Sequence, residues 1–130
     1  MVSELSIAQL VKQEKAQTLI EAAIALPVLL LLFFGCMELV HVAVGHIVVR
    51  EAAFEAGRQA SINKNADYAT KVAISICGKI SKGETTFEIE DRENNKKSYV
   101  VTHHLKPWVP IIPGKEISHQ VPDYLFYSGD

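Results

Sequence analysis

Glu38-Leu39-Val40-His41 sets a carboxylate and an imidazole three residues apart, the spacing by which helix bundles hold paired metal ions because such positions share a helix face. That chemistry needs a second copy of the motif and two more carboxylate-bearing helices, and the sequence supplies neither. The pair is expected to contact another protein chain first, and otherwise to satisfy itself where a helix leaves a membrane. His103 and His104 are adjacent, so on a strand they face opposite sides, and with His119 and Cys77 they could meet at one ion only through the fold. No recognised ligand spacing occurs, so no metal site is expected. There is no nucleophile elbow, phosphate loop, Cys-x-x-Cys or Gly-x-Gly-x-x-Gly either. The acidic group Glu88, Glu90, Asp91 and Glu93, beside Lys96 and Lys97, is expected to form a solvated turn. Neither catalysis nor a cofactor is expected.

The element that must position the first of these residues dominates the composition. The 130 residues are 48% hydrophobic and carry a formal charge of -2. That bounds the chain to one small domain at most, and the absence of a basic surplus argues against nucleic-acid binding. The apolar residues are concentrated, because between Glu21 and Arg50 the only formal charge is Glu38. A membrane-spanning helix needs about 20 apolar residues, and too few residues follow Arg50 to wrap a rod that is apolar all round. The expected span runs from Ala22 to about Val42, with His41 and His46 near the far interface. Lys12 and Lys15 before it and Arg50, Arg58 and Lys64 after it give the positive-inside rule nothing to decide orientation.

Two residues at the start of this run are costly in lipid. Glu21 must lie at the interface, be protonated or meet a cation, and Pro27 deprives the carbonyl of Ala23 of its helical donor. Together with Ile20-Glu21-Ala22-Ala23-Ile24-Ala25-Leu26-Pro27-Val28-Leu29-Leu30-Leu31-Leu32 and, later, Arg50-Glu51-Ala52-Ala53-Phe54-Glu55-Ala56-Gly57-Arg58-Gln59-Ala60, they carry a resemblance. The segment from about residue 15 to 61 resembles the TadE-like minor pilins, or pseudopilins, of tight-adherence (Flp, type IV-like) pilus systems. The resemblance implies a leader, residues 1–16, cut between Ala16 and Gln17 by a prepilin peptidase, with N-methylation of Gln17. Ala16 stands where the family usually carries Gly. The cut would make Glu21 the fifth mature residue and set a new ammonium four residues from its carboxylate, or against that of a neighbouring subunit. Glu21, Pro27, Glu38 and His41 would then be assembly residues. The implied partners are the inner membrane, a major Flp pilin and a second pseudopilin, the peptidase and pilus platform proteins. The small domain would be periplasmic or extracellular.

A rival processing signal, Phe33-Phe34-Gly35-Cys36, is similar to a lipobox, but its two Phe are bulky and the apolar run continues beyond it. Cys36 is better explained as a small packing residue. Cys77 lies in the soluble part, so an internal disulfide is not expected, although an exported Cys77 could pair between chains.

The remaining pattern predicts α+β: a long N-terminal transmembrane helix over 17–62, continuing on the exported side, then a small domain, 63–130, with a second helix and a hairpin or small antiparallel sheet. Ala53, Ala56, Gly57 and Ala60 form a small-residue face suited to close helix packing. The long helix should end near residues 63–67, with Asp67 capping a second helix whose stripe is Ala69, Val72, Ala73, Ile76 and Ile80 and which Gly78 ends. Strands are expected over 85–90 and 98–105, joined by a loop over 92–96. Phe87 and Ile89, and Tyr99, Val101, His103 and Leu105, alternate onto one face of each. Pro107, Pro110 and Pro113 around Trp108 suggest an extended, polyproline-like segment packing across the sheet. The tail Tyr124-Leu125-Phe126-Tyr127 is apolar enough to dock. Two other functions fit the layout less well: an unprocessed, anchored extracytoplasmic binding or sensor domain, and a tethered metalloenzyme using His103, His104 and His119.

Overall fold

The computed structural model describes residues 2–92 and 96–126. The elements are α1 (Val2–Asn63), α2 (Ala66–Cys77), β1 (Thr85–Arg92), β2 (Lys96–Leu105), β3 (Lys115–Pro122) and a 3-10 turn (Asp123–Leu125). The architecture is α+β, with one long apolar helix, a second helix and a three-stranded antiparallel sheet in the order β1-β2-β3. The chain falls into two compact units that meet between Met37 and Glu38, and not at the end of the long helix.

In the first unit every described side chain is exposed, including the whole uncharged run. Pro27 sits inside the helix, which continues through it. Among the described residues α1 is the one helix long and apolar enough to cross a membrane, and its most apolar stretch is not buried at all.

The second unit begins with the rest of α1, where one face is buried at helical spacing: His41, Gly45, Val49, Ala52, Ala56 and Ala60. It shares a core with Ala69, Ala73 and Cys77 of α2 and with Tyr99, Val101, Leu105, Ile117 and Val121 of the sheet. The small residues let the sheet come close. A Cβ on Gly45 would lie 3.0 Å from Ile117 Cδ1, and one on Gly57 would lie 3.0 Å from Tyr99 Cδ2.

Local chemistry sets the breaks. α1 stops at Asn63 because Lys64 enters the left-handed region, φ 50°, while its amide still bonds the carbonyl of Ala60. The cap of α2 is Asn65, not Asp67: the Asn65 Oδ1 accepts the Tyr68 amide at 3.1 Å, and Asp67 lies inside the first turn. Gly78 ends α2 as expected, which leaves Ile80 beyond the helix, although it still packs on the core.

The sheet is larger than the hairpin pattern suggests. β1 runs on to Arg92, so Glu88, Glu90 and Asp91 are strand residues and not a turn; Glu93 and the loop centre, 93–95, lie outside the described residues. Glu90 is held across the sheet, since Gln120 of β3 donates to it at 3.0 Å and to Ser98 of β2 at 2.8 Å. The third strand, β3, makes it the small antiparallel sheet rather than the bare hairpin, and Ile117, His119 and Val121 alternate onto its inner face. Val101 pairs with His119 and His103 with Ile117, so Tyr99, Val101, His103 and Leu105 do share the covered face.

Residues 106–114 are not a polyproline helix. They bend, and the amide of Ile112 closes a turn on the carbonyl of Val109 at 3.0 Å. Trp108 does not pack on the sheet, being 67% exposed. Phe126 does dock, with its ring 5.2 Å from that of Phe54 and 5.9 Å from that of Tyr99, whereas Tyr127 lies outside the described residues.

Candidate functional site

The residues singled out in the sequence fall into groups that the fold treats differently. Ala16, Gln17, Glu21 and Pro27 all lie on the exposed part of α1. The helical period stacks Gln17 over Glu21, and the Gln17 Nε2 donates to the Glu21 Oε1 at 3.3 Å. A charged group at the N-terminal side of Glu21 would therefore fall on the same face. Glu21 heads an apolar stripe made by Ile24, Ala25, Val28, Leu29 and Leu32. A stripe of that kind, interrupted by one carboxylate, can pack against another apolar helix that brings a cation.

Glu38 and His41 behave differently from what their spacing suggested. They do not pair with each other; each is hydrogen-bonded to the loop after β2. His41 is buried and its Nε2 donates to the carbonyl of Lys106 at 3.1 Å, which fixes the proton on that nitrogen. The Glu38 carboxylate accepts the amide of Trp108 at 3.2 Å, and the indole lies 5.6 Å from the imidazole. Both residues thus tether the loop that follows β2. Val42 packs on the core as well, so among the described residues the fully exposed run ends at Met37, not at Val42.

Ala53, Ala56, Gly57 and Ala60 are buried, as small packing residues should be, but the surface they meet belongs to their own domain. Tyr99 and Phe126 close over Gly57, which leaves no room there for a helix from a second subunit. A usable signal for this face lies further back, where Gly45 stands one helical turn after His41.

The polar residues proposed for metal chemistry do not converge. His103 is fully buried, with the Ser81 hydroxyl 2.9 Å from its Nε2 and the Thr85 hydroxyl 2.8 Å from its Nδ1. Both ring nitrogens are therefore occupied, and burial pushes the imidazole below its ordinary value, with His104 adding to the effect. His104 faces the other side of the sheet. His119 is held low by burial and by Arg50 and His46 on α1. Among the described residues no three His, Cys, Asp or Glu side chains come together as a metal site. Cys77 is buried beside Thr85 and its thiol is pushed up, mainly by burial, so it is not placed to pair with another chain. Cys36 is free and exposed.

Residues 16–58 match the family model described as TadE-like protein. The matched stretch, about a third of the chain, begins at Ala16 and takes in Glu21, Pro27, the uncharged run and most of the small-residue face. No curated protein and no solved structure matches the chain. Over those residues the chain is similar to TadE-like proteins, and the matched stretch includes most of the one described helix long and apolar enough to cross a membrane.

Proposed function

We propose that this chain is a pilin-like structural and assembly component, a minor pilin or pseudopilin, of a Tad (Flp-type) pilus, and that it is not an enzyme. The observation that carries the reading is the TadE-like match beginning at Ala16, on a helix whose apolar run is exposed and packs on no other described residue. A prepilin peptidase cuts between Ala16 and Gln17 at the inner membrane. The new ammonium on Gln17 then stands one helical turn from Glu21, a separation that the Gln17–Glu21 hydrogen bond already supports. Pairing of that ammonium with Glu21, in its own chain or in a neighbour's, lowers the cost of holding both in or near lipid. The stripe below Glu21 packs against the helices of a major pilin and a second pseudopilin, on platform proteins that supply the motor. The small domain lies on the periplasmic or extracellular side.

The test is the intact mass and N-terminal residue of the protein from native membranes, with and without the prepilin peptidase. A peptidase-dependent start at Gln17 is expected, together with loss of co-assembly in Glu21→Ala. Retention of Met1 to Ala16 in both strains, with Glu21→Ala behaving as wild type, would replace this reading by that of an unprocessed anchored domain.

A further inference from the structure

The loop between β2 and β3 has no role in the assembly reading, yet among the described residues it carries the most exposed large apolar side chain of the second unit, Ile111, with Trp108 close by. From Lys106 to Gly114 its one charge is Lys106. Trp108 is 67% exposed, Ile111 90% and Ile112 40%. Exposure of that kind, concentrated in one turn, marks a surface that meets something apolar.

The contacts of the loop show where it is held. At the end of β2, Leu105 packs 3.1 Å from the Cβ position of Gly45. The next residue, Lys106, bonds His41, and two residues later Trp108 bonds Glu38. Each tether lies closer to the start of this unit's helix than the one before. At 1.5 Å per residue the chain descends about 10 Å along α1 between Gly45 and Glu38. Glu38 is the first charged residue after the uncharged run that ends at Met37. In any bilayer that this run crosses, the first charge marks the headgroup layer.

We propose that residues 107–113 form a membrane foot, with Trp108, Ile111 and Ile112 seated in the headgroup layer of the bilayer crossed by the uncharged run. The loop's chemistry suits that layer. Indole is enriched there because its ring is apolar and its N–H is polar. Pro107, Pro110 and Pro113 lack amide donors, so three backbone groups that would need partners in a poorly hydrated layer are absent. The amides of Trp108 and Ile112 are already bonded, to Glu38 and to Val109. Lys106 sits above the tip, where its ammonium can reach lipid phosphates while its stem lies along the loop. The tether to Glu38 also gives that carboxylate a donor at the level where its desolvation begins to cost. The foot would fix the rotation and depth of the small domain on the membrane before assembly.

This inference rests on the chain's crossing a membrane and not on its joining a pilus. Trp108 is the single tryptophan, so its fluorescence reports the loop directly. The full chain would be placed in vesicles of phosphatidylethanolamine and phosphatidylglycerol whose acyl chains are brominated either near the headgroup or near the methyl end. A bimane on Cys36, the exposed thiol, reports the uncharged run in the same sample. Blue-shifted Trp108 emission is expected, lost with shallow bromines and largely kept with deep ones, and Glu21→Ala should leave it unchanged. Ile111→Asp should restore much of the quenched emission without altering the far-ultraviolet circular dichroism. Quenching of the Cys36 label without quenching of Trp108 would overturn the foot and leave the span standing, and quenching of neither would remove both. Trp108 emission that shifts with protein concentration but ignores bromine would overturn the lipid reading in favour of a second copy of the chain.

Discussion

The two parts of α1 share an alphabet and differ in size order. Up to Met37 the helix is rich in Leu and Phe, and all of its described side chains are exposed, with Leu31 at 76%. From Glu38 on, the side chains that recur every three or four residues are Gly, Ala and Val, and these are buried to the last atom at Val49, Ala52 and Ala56. Apolar character alone therefore does not make a core position. The sheet can approach only where the helix is narrow, while large side chains all round leave a rod that packs on no other described part of the chain.

Removing volume should separate the two parts of the helix most clearly. Leu105→Ala empties a position only 1% exposed and should destabilise the small domain by about 2–5 kcal/mol. Leu31→Ala should leave its unfolding unchanged. Denaturant unfolding of the full chain in detergent, followed by near-ultraviolet circular dichroism, measures both, and equal losses would dissolve the distinction.

Adding volume sharpens it further. Gly57→Leu forces a side chain against Tyr99 and Phe126 and should cost about 1–3 kcal/mol in the same assay. Gly35→Leu meets nothing within 4 Å and should have no effect on that transition.

The smallest expected effect is a pH dependence confined to the second unit. The folded-state pKa of His103 is depressed, so the unfolded chain binds the extra proton more readily. The contribution of His103 is fully present above the ordinary imidazole value near 6.5 and is lost as pH falls through its lower folded value. His119 is shifted in the same direction, so His103→Asn should flatten part of the slope and the double variant with His119→Asn more of it. A stability that rose as the solution was acidified from neutrality would contradict this sign.

Much of this was legible in the residues. The uncharged run, Glu21, Pro27, the end of α1 near Asn63, the second helix and the first two strands follow from local patterns. The errors share a cause. Asn65 and Asp67 are both competent caps, and which one serves depends on where the backbone leaves the helix. β3 is as long as β1 but carries only Ile117 and Val121 as apolar inward residues, and its pairing partner is known only once β2 is laid down. Cys77 looked available for pairing because burial is a property of the assembled core.

Composition and residues within one or two helical turns of each other suffice to tell which part of the chain is apolar all round, where its charges interrupt it, and which family residues 15–61 resemble. What Glu38 and His41 hold, what covers Ala53 and Gly57, and the satisfaction of His103 by Ser81 and Thr85 come only with the assembled fold. Those contacts join residues up to 70 positions apart, and nothing in local spacing encodes which distant carbonyl or hydroxyl will be brought within hydrogen-bond reach.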